Sequence, residues 1–483
     1  MKDISRRGFL ARTATTVIAF STASGTWITE ASAAAPASDW TLVPALDGEL
    51  VFDAPSLQKD STDNGNIVSV TPAAVLRPKN ASDIQKMVRY CARLGIKVSA
   101  RGEAHTTFGQ GLCPGLVIEM RSLQKIREIT ATSAHVEAGV LWSELVTAGL
   151  LQGVTPPALT DYTELSVGGT LSVGGVSANI HHGAQVDNVL ELTVVTGQGN
   201  LVVCSPASNR ELFEACLGTL GQVALIVSAR IAMVPAPDAV RQYTLLYADA
   251  KNFFTDLRTL LTRAEFTSVN GAFAVADNGV TYVVQASAAH AKGTTPNDAF
   301  LLRGLTQPAG SAITADSTYA AYTARVNDVV DKFPRAYKGY TKPWFDVFVP
   351  DAQAEAYVTS ALSTLRPDDA GSTGGILLFA IRRSKLSRPF FRTPQDGEWV
   401  FLFDILTSSE EIVPAHWVAQ KLDRNRTLYE QARALGSTLY PIGSTPMSQA
   451  DWQQHYGAEW GAFQDRKQRF DPDHVLTPGP GIF

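Results

Sequence analysis

The chain has 483 residues, 45% hydrophobic content and a formal net charge of -5. This length is enough for two domains with a large buried core. The weak negative charge and the absence of a long basic run argue against nucleic-acid binding. We therefore expect a globular protein that acts on a small molecule.

The first 33 residues have the pattern of an export signal. Arg6 and Arg7 precede an apolar run at 15–20, and Ala31 to Ala33 supplies a small-residue cleavage pattern. The arginine pair favours a twin-arginine signal over 1–33 and a secreted or periplasmic protein. An ordinary secretory signal with a chance arginine pair is the alternative. No later stretch reaches the roughly 18 uninterrupted apolar residues of a membrane span, so none is predicted.

Hydrophobic periodicity predicts a region of mixed strands and helices up to about residue 237. The clearest helix covers 80–95, with Ser82 and Gln85 as a capping box and Gly95 as its stop. The other segments, in chain order, are strands at 73–78, 96–100 and 115–120, a strand and short helix within 134–150, a hairpin over 190–205 that turns at 197–200, a helix at 209–218 and a strand at 223–237.

The second half predicts an α+β layer, in which helices cover one side of an antiparallel sheet. Its strands are predicted at 281–287, 374–383 and 398–406, its helices around 250–263, 316–332 and 413–435, and its loops at 288–297 and 366–374. Pro235 and Pro237 end the preceding strand, which places a domain boundary near residue 237.

The four cysteines have neither C-x-x-C spacing nor the density of a disulfide-rich scaffold. Cys91, Cys113, Cys204 and Cys216 are interpreted as buried thiols, with one disulfide possible after export.

Several common catalytic motifs are missing from the sequence. It contains no H-E-x-x-H metal motif, no G-x-S-x-G nucleophile elbow and no P-loop, so no metal site is expected. The G-Q-G at 197–199 lacks the third glycine and the helix of a dinucleotide fingerprint, and it is interpreted as the hairpin turn.

Glycine-rich clusters at 101–111, 165–183 and 217–222 are the main remaining signal. Such loops expose backbone N–H groups and can hold a pyrophosphate, although each cluster alone is also compatible with ordinary turns. His105 lies in the first cluster. From the residues alone it could be a core histidine, a metal ligand or an attachment point.

The segments "ARGEAHTTFGQG", "LTDYTELSVGGTLSVGGVSANIHHG", "KPWFDVFVP" and "FDPDHVLTPGPGIF" resemble successive signatures of the cytokinin dehydrogenases, in the vanillyl-alcohol-oxidase-type flavoprotein superfamily. The resemblance implies an α+β, two-domain fold of the PCMH type. It assigns residues 40–237 to an FAD-binding domain, 238–439 to an inserted substrate domain, and 440–483 to a segment that returns to the FAD domain.

In this family His105 corresponds to the histidine that is joined covalently to the 8α-methyl group of FAD. Non-covalent FAD is the alternative. The resemblance also implies the following FAD contacts: Arg101, Gly102, Glu103, Ala104, Thr106, Gln110, Gly111, Asp161, Ser166, Ser172, Val176, Ile226 and Thr477.

Asp161 corresponds to the family's catalytic base, which accepts the N–H proton of a secondary amine while hydride leaves the adjacent carbon. A turn or cap role is the alternative. Trp344 corresponds to an aromatic wall over the substrate, although a plain core tryptophan is also possible. Asn270 stands where many plant members have glutamate, so it is a candidate substrate contact.

The resemblance therefore implies a monomeric, secreted oxidoreductase of N6-isoprenoid adenines that yields an aldehyde and adenine, with a quinone or dioxygen as electron acceptor. Leu159, Glu103 and Pro480 depart from the family pattern and leave the substrate open. One alternative is an oxidase of another small amine, alcohol or sugar. Another is a flavin-carrying or ligand-binding export protein without turnover.

Overall fold

The N-terminal part is built on two main sheets, to which two smaller ones are added. In the computed structural model, which describes residues 17–29, 40–176, 178–333 and 339–483, its elements are β1 (Val17–Ser21), β2 (Thr26–Thr29), β3 (Trp40–Leu42), β4 (Glu49–Val51), α1 (Ala54–Lys59), β5 (Ala74–Arg77), α2 (Ala81–Leu94), β6 (Val98–Arg101), β7 (Leu116–Glu119), β8 (Ile126–Ile129), β9 (Ser133–Glu137), α3 (Trp142–Leu150), β10 (Val154–Thr155), α4 (Val167–Val173), β11 (Val189–Thr196), β12 (Leu201–Cys204), α5 (Arg210–Cys216), β13 (Ala224–Ala232) and β14 (Val234–Pro235).

These strands form a four-stranded sheet of order β4-β5-β7-β6 and a five-stranded antiparallel sheet of order β12-β11-β13-β9-β8. A three-stranded sheet of order β2-β1-β3 and the β10–β14 pair are added to these two main sheets. Within the first sheet, β5, β7 and β6 run parallel, because the amphipathic helix α2 crosses from β5 to β6. The predicted strands, the hairpin and the helices of this region are confirmed within a few residues.

The predicted cap of helix α2 is wrong. The helix begins at Ala81, and the side chain of Asn80 accepts a hydrogen bond from the Asp83 N–H at 3.2 Å. Gln85 instead donates to the Gly199 carbonyl at 3.1 Å, in the hairpin turn. Asparagine is as good an N-cap as serine, so the earlier residue starts the helix. The stop is confirmed, since Gly95 is left-handed with φ 67°.

The C-terminal half is built on one large sheet. Its elements are β15 (Ala239–Tyr247), α6 (Ala250–Arg263), β16 (Ser268–Ala276), β17 (Gly279–His290), α7 (Asp298–Leu301), β18 (Ile313–Thr318), α8 (Tyr319–Val330), β19 (Phe345–Pro350), α9 (Ala354–Thr364), β20 (Gly375–Arg382), β21 (Trp399–Leu406), α10 (Ala415–Ala434), β22 (Thr438–Leu439), α11 (Gln449–Tyr456) and α12 (Trp460–Phe470).

The eight strands of this sheet follow the order β18-β15-β17-β16-β20-β21-β19-β22 and pair antiparallel. Helices α6 and α9 cover its outer face, as the phenyl ring of Phe253 beneath Gly271 and the Tyr357–Phe403 ring contact show. The predicted α+β class and the helix-covered antiparallel sheet are confirmed.

Two predicted boundaries in this half are wrong. The helix predicted over 316–332 begins only at Tyr319, because residues 313–318 pair with β15 as strand β18. Strand β17 extends to His290, into the loop predicted at 288–297. In both cases pairing with a neighbouring strand, which local sequence does not encode, outweighs the local pattern.

The C-terminal segment packs on the N-terminal part. Leu476 forms a parallel bridge with Val98 of β6, and the Thr477 N–H donates to the Val98 carbonyl at 2.8 Å. This brings the last residues of the chain beside the glycine-rich clusters.

Of the predicted signal over 1–33, only residues 17–29 are described. They form the β1–β2 hairpin, in which Trp27 stacks on Tyr90 of α2 with ring centroids 5.9 Å apart. The remainder of that segment lies outside the described residues, and the signal stays a prediction.

The four cysteines are free and buried. None of the helices in the described ranges combines the length and apolar character that a membrane span requires.

Candidate active site

The candidate site is a cavity of about 830 Å³ between the N-terminal part and the large sheet. Its volume is in the range of ligand-binding pockets. Every residue that the sequence analysis assigned to FAD or substrate lines this one cavity: Arg101, Gly102, Glu103, Ala104, His105, Thr106, Gln110, Gly111, Asp161, Ser166, Ser172, Val176, Ile226, Asn270, Trp344 and Thr477.

The loop over 102–106 provides consecutive main-chain donors along the cavity. Within the described part of the chain, none of its N–H groups donates a hydrogen bond. Ala104 has a left-handed backbone with φ 49°, which turns the loop around the cavity. A concave row of free N–H groups is a binding site for phosphate oxygens.

Gly102 allows this loop to approach helix α4 closely. A Cβ atom on Gly102 would lie 2.0 Å from the Ser166 Oγ. Thr477, which has φ 46°, meets the same cavity from the C-terminal segment, and its hydroxyl donates to the Gly221 carbonyl at 3.0 Å. At Gly102 the wall is main chain without a side chain, which allows the close approach that a pyrophosphate requires.

A buried carboxylate holds the loop in place. Asp63 Oδ2 accepts the Gly109 N–H at 2.7 Å, and Oδ1 accepts the Gly65 N–H at 3.0 Å. Burial raises the pKa of Asp63 to about 6, although these hydrogen bonds lower it. The Gln110 amide donates to the Gly443 carbonyl at 2.9 Å and ties the loop to the C-terminal segment.

Ion pairs neutralise the charges beside this loop. The acidic Glu103, a departure from the family pattern, pairs with Arg121 at 3.0 Å. Arg101 pairs at 3.1 Å with Asp60, which is fully buried. The negative charge of Glu103 is therefore compensated where a phosphate would bind.

The His105 ring lies between two aromatic side chains. It stacks on Tyr162 at 5.1 Å between centroids and meets Trp344 edge-on at 5.3 Å. Burial and the nearby Lys342 ammonium lower the pKa of His105 to about 4. At neutral pH the ring is uncharged. Neither ring nitrogen forms a hydrogen bond with another described residue, so one is available as a nucleophile.

Asp161 faces the same cavity and forms an ion pair that the sequence analysis missed. Arg325 Nη2 of helix α8 donates to Asp161 Oδ1 at 2.5 Å, and both side chains are 28% exposed. The Arg325 guanidinium also lies over the Tyr322 ring at 4.3 Å. Within the described ranges, the Asp161 side chain accepts no hydrogen bond from the turn that it occupies. In that turn the Thr160 hydroxyl donates to the Tyr162 carbonyl at 2.7 Å.

Helix α8 fixes the segment around Asp161 at a second point. The Asn327 side chain accepts the Thr163 N–H at 2.9 Å and donates to the Thr163 hydroxyl at 2.8 Å. This helix of the large-sheet half therefore positions a loop of the N-terminal part.

The inner face of the large sheet is the floor of the cavity. Asn270 donates to Gln285 Oε1 at 3.0 Å across β16 and β17. The apolar residues Leu377, Phe379 and Leu402 follow on β20 and β21. Beyond them, Asp404 lines the cavity and Asp346 stands opposite it on β19.

The sequence analysis missed Asp63, Arg325, Asp404 and Gln285. Each lies in a stretch without a motif, and only the fold brings it to the cavity. The one usable signal was the spacing of Leu402 and Asp404 along a predicted strand, which puts both side chains on one face.

The donor row, the close glycine contacts and the neutral, aromatic-flanked histidine fit FAD. The phosphates would lie on the 102–106 loop and the ring system beside His105 and Trp344. Among the described residues, no cluster of three or more histidine, cysteine or acidic residues is placed to hold a metal ion.

Two family models match the chain. One is described as an FAD binding domain and matches residues 72–205. The other is described as cytokinin dehydrogenase 1, FAD and cytokinin binding, and matches residues 293–483. The two matches contain most of the cavity wall.

Similar proteins cover nearly the whole chain. An uncharacterised oxidoreductase of the fasciation locus of Rhodococcoides fascians is 34% identical over 88% of this chain and 96% of its own. Cytokinin dehydrogenase 1 of Oryza sativa subsp. japonica is 32% identical over 91% of this chain and 92% of its own. The crystal structure of 6-hydroxy-D-nicotine oxidase from Arthrobacter nicotinovorans superposes with a TM-score of 0.71 at 19% sequence identity. The match covers 91% of this chain and 98% of the oxidase chain. The two proteins therefore share a fold.

Proposed function

Because this chain belongs to the cytokinin dehydrogenase family of FAD-dependent oxidoreductases, with a PCMH-type fold, we propose that it oxidises N6-isoprenoid adenines at their secondary allylic amine. The observation that carries this proposal is the common cavity of His105 and Asp161, with the Asn270–Gln285 amide pair on its floor. A carboxylate, an imidazole and a pair of amides thus face one space.

FAD, when bound, accepts hydride at its N5 atom. We propose that a ring nitrogen of His105 would be joined covalently to the 8α-methyl carbon of FAD, where the new bond would replace one methyl C–H and the imidazole N–H, with the two electrons passing through the flavin to its electron acceptor. The low pKa of His105 supports this role, because the ring is neutral and can act as a nucleophile. A covalent bond would keep the cofactor in a protein that works outside the cytoplasm.

Asp161 would accept the proton of the substrate N–H as hydride leaves the neighbouring carbon. The C–H electron pair would go to the cofactor and the N–H proton to the Asp161 carboxylate, and these two losses would convert the amine into an imine. Arg325 holds the carboxylate in a fixed direction at the cavity before substrate arrives. Water then hydrolyses the imine to an aldehyde and adenine.

The floor would orient the two halves of the substrate. The amides of Asn270 and Gln285 can each donate and accept, as the edge of a purine requires. Leu377, Phe379 and Leu402 form the apolar strip over which an isoprenoid chain would lie, and Trp344 closes it near the flavin. This apolar strip excludes water from the reacting carbon.

Three further features belong to the proposal. Reoxidation would use a quinone or dioxygen. The enzyme would act as a monomer, after twin-arginine export to the periplasm or the medium. The resemblance to the family supports the first two features, and the pattern of residues 1–33 supports the third.

The direct test is anaerobic mixing of the purified holoenzyme with N6-isopentenyladenine while the flavin absorbance is followed. We expect bleaching at saturating substrate, with release of adenine. No bleaching would overturn the cytokinin substrate. Bleaching by a different amine, alcohol or sugar in a substrate panel would assign the enzyme to that substrate.

The role of Asp161 is tested with Asp161→Asn, which should lower the rate of flavin reduction by about 10²- to 10⁴-fold while the flavin stays bound. Glu164→Gln is the matched control. Glu164 lies on the same segment outside the cavity, where Asn327 donates to it at 3.2 Å. An Asp161→Asn enzyme as fast as the control would remove the proposed base and favour another proton acceptor.

A further inference from the structure

Two carboxyl groups face each other at one end of the cavity floor. Asp346 of β19 and Asp404 of β21 are directly paired in the sheet register, so their side chains point to the same face. Asp346 is fully buried and Asp404 is 5% exposed. Asp404 lines the cavity. We call this pair the carboxyl dyad.

The carboxyl dyad has no counter-ion in the described part of the chain. The two side chains share a hydrogen bond with each other, and beyond it neither oxygen of Asp346 nor Oδ1 of Asp404 has a hydrogen-bond partner there. Burial raises the pKa of both groups, and for Asp346 the charge of Asp404 adds to the effect. Two carboxyls so close keep at least one proton between them, because two buried like charges are too costly.

One shared proton satisfies only the two oxygens that it joins, so the remaining buried oxygens of the dyad call for a further partner. A plain core position would be filled better by an apolar residue, since replacing buried charges by apolar side chains is often neutral or stabilising. The neighbours on the same face are apolar: Leu377 pairs with Asp404 across β20, and Leu402 precedes it by two residues. The open side of Asp404 is therefore the cavity.

The dyad and the Asn270–Gln285 amide pair mark opposite ends of the floor. Asn270 pairs with Phe379, Phe379 pairs with Leu402, and Asp404 lies two residues further along. Two strand spacings and two residues of rise separate the two ends by about 12 Å. The floor is thus polar at each end and apolar between.

The dyad lies at the flavin end of this floor. Asp346 follows Trp344 by two residues, and the Trp344 ring contacts His105. A substrate that places its ring on the amides and its reacting carbon beside the flavin would extend its alkyl end toward Asp404. This placement rests on the proposed function.

We propose that the carboxyl dyad is a specificity subsite, in which Asp404 binds a hydroxyl group at the alkyl end of the substrate. A hydroxyl donates and accepts, so it matches a carboxyl pair that shares a proton and offers both an O–H and free oxygens. An ammonium group offers donors alone and would share the cavity with the Arg325 cation. The structure therefore favours a neutral hydroxyl over a cation.

The test compares N6-isopentenyladenine with its side-chain-hydroxylated form, in wild type and in Asp404→Leu. We expect wild type to prefer the hydroxylated compound by about tenfold or more in kcat/KM, as for a site with a dedicated polar partner. In Asp404→Leu this ratio should fall to about one, while the non-hydroxylated compound still reduces the flavin. A wild-type ratio near one, or an unchanged ratio in the variant, overturns the subsite.

Asn270→Ala is the matched control at the other end of the floor. It should weaken both compounds and leave their ratio unchanged. An equal loss of preference in Asn270→Ala would assign that preference to the cavity as a whole and overturn the dyad. If Asp404→Leu does not fold, Asp404→Val replaces it, since a β-branched residue suits a central strand.

The two proposals fail separately. If neither adenine compound bleaches the wild-type flavin, the proposed function fails. The dyad is then tested on the compound that a substrate panel identifies, compared with its hydroxylated form in the same two enzymes. If the kcat/KM ratio of the hydroxylated to the non-hydroxylated compound is the same in wild type and in Asp404→Leu, the proposed subsite is overturned.

Discussion

Arg325 donates to Asp161 at 2.5 Å and thereby connects helix α8 to the loop that carries the proposed base. The two residues are far apart in sequence and lie in different halves of the molecule. Each of the two side chains is 28% exposed, so the ion pair contributes little to the free energy of unfolding. Its consequence is geometric, because it fixes one carboxylate oxygen and leaves the other toward the cavity.

Replacing Arg325 by glutamine should slow flavin reduction by about tenfold to a hundredfold, because an untethered Asp161 loses its alignment with the substrate. Arg325→Lys should recover part of the rate, since it keeps a cationic donor. Stopped-flow flavin reduction at saturating substrate measures both. The exposed Arg93 offers the control Arg93→Gln. A rate for Arg325→Gln equal to that of Arg93→Gln would show that the ion pair does not position the base.

Replacing His105 by alanine should convert covalent flavin into dissociable flavin. Acid precipitation of the wild type is expected to leave the yellow colour in the pellet, and precipitation of His105→Ala should leave it in the supernatant. Intact-mass measurement checks the same point, because only the wild type should carry the added mass of FAD. A wild-type polypeptide of unmodified mass would contradict the covalent bond and favour non-covalent FAD.

Gly102→Ala should reduce the flavin content, because the new Cβ would lie 2.0 Å from the Ser166 Oγ. The double variant Gly102→Ala with Ser166→Gly removes that atom and should recover part of the content. The control is Gly461→Ala on helix α12, where a Cβ meets no atom within 4 Å. The ratio of flavin to protein absorbance is the readout. Full flavin content in Gly102→Ala would contradict the close approach.

The carboxyl dyad should make the protein less stable as pH rises. Burial raises the pKa of Asp404 to about 7, above the unfolded value of about 3.9. Between these values the native state holds more protons than the unfolded state, so stability is full below pH 4 and is lost as pH rises through 7. The other titratable group beside the dyad is the Tyr440 phenol, whose pKa burial raises, so it stays protonated.

Asp404→Asn should therefore raise the unfolding temperature at pH 8 by about 1–3 °C relative to wild type, with little change at pH 4. The exposed Asp396 offers the control Asp396→Asn, which should shift neither value. Differential scanning calorimetry at both pH values makes the comparison. An equal shift at pH 4 and pH 8 would show that the effect does not come from titration.

Local sequence was sufficient for the elements whose pattern is complete within one segment. The amphipathic helix α2 with its stop at Gly95, the hairpin turn at 197–200 and the alternation along β21 are of this kind. The extent of β17 and β18 could not be predicted in this way, because both strands pair with β15. Such contacts join residues far apart in the chain.

The residues of the candidate site also fall into those that the sequence predicts and those that only the fold brings together. The sequence by itself determined the residues whose chemistry is carried by a contiguous motif: the glycine loop around His105, the Thr160 to Tyr162 turn and the C-terminal segment with Thr477. Only the tertiary structure decided that Arg325 meets Asp161, that Arg121 compensates Glu103, and that Asp346 stands opposite Asp404. A motif records which groups are near in the chain, whereas charge pairing and strand register are set when separate elements pack together.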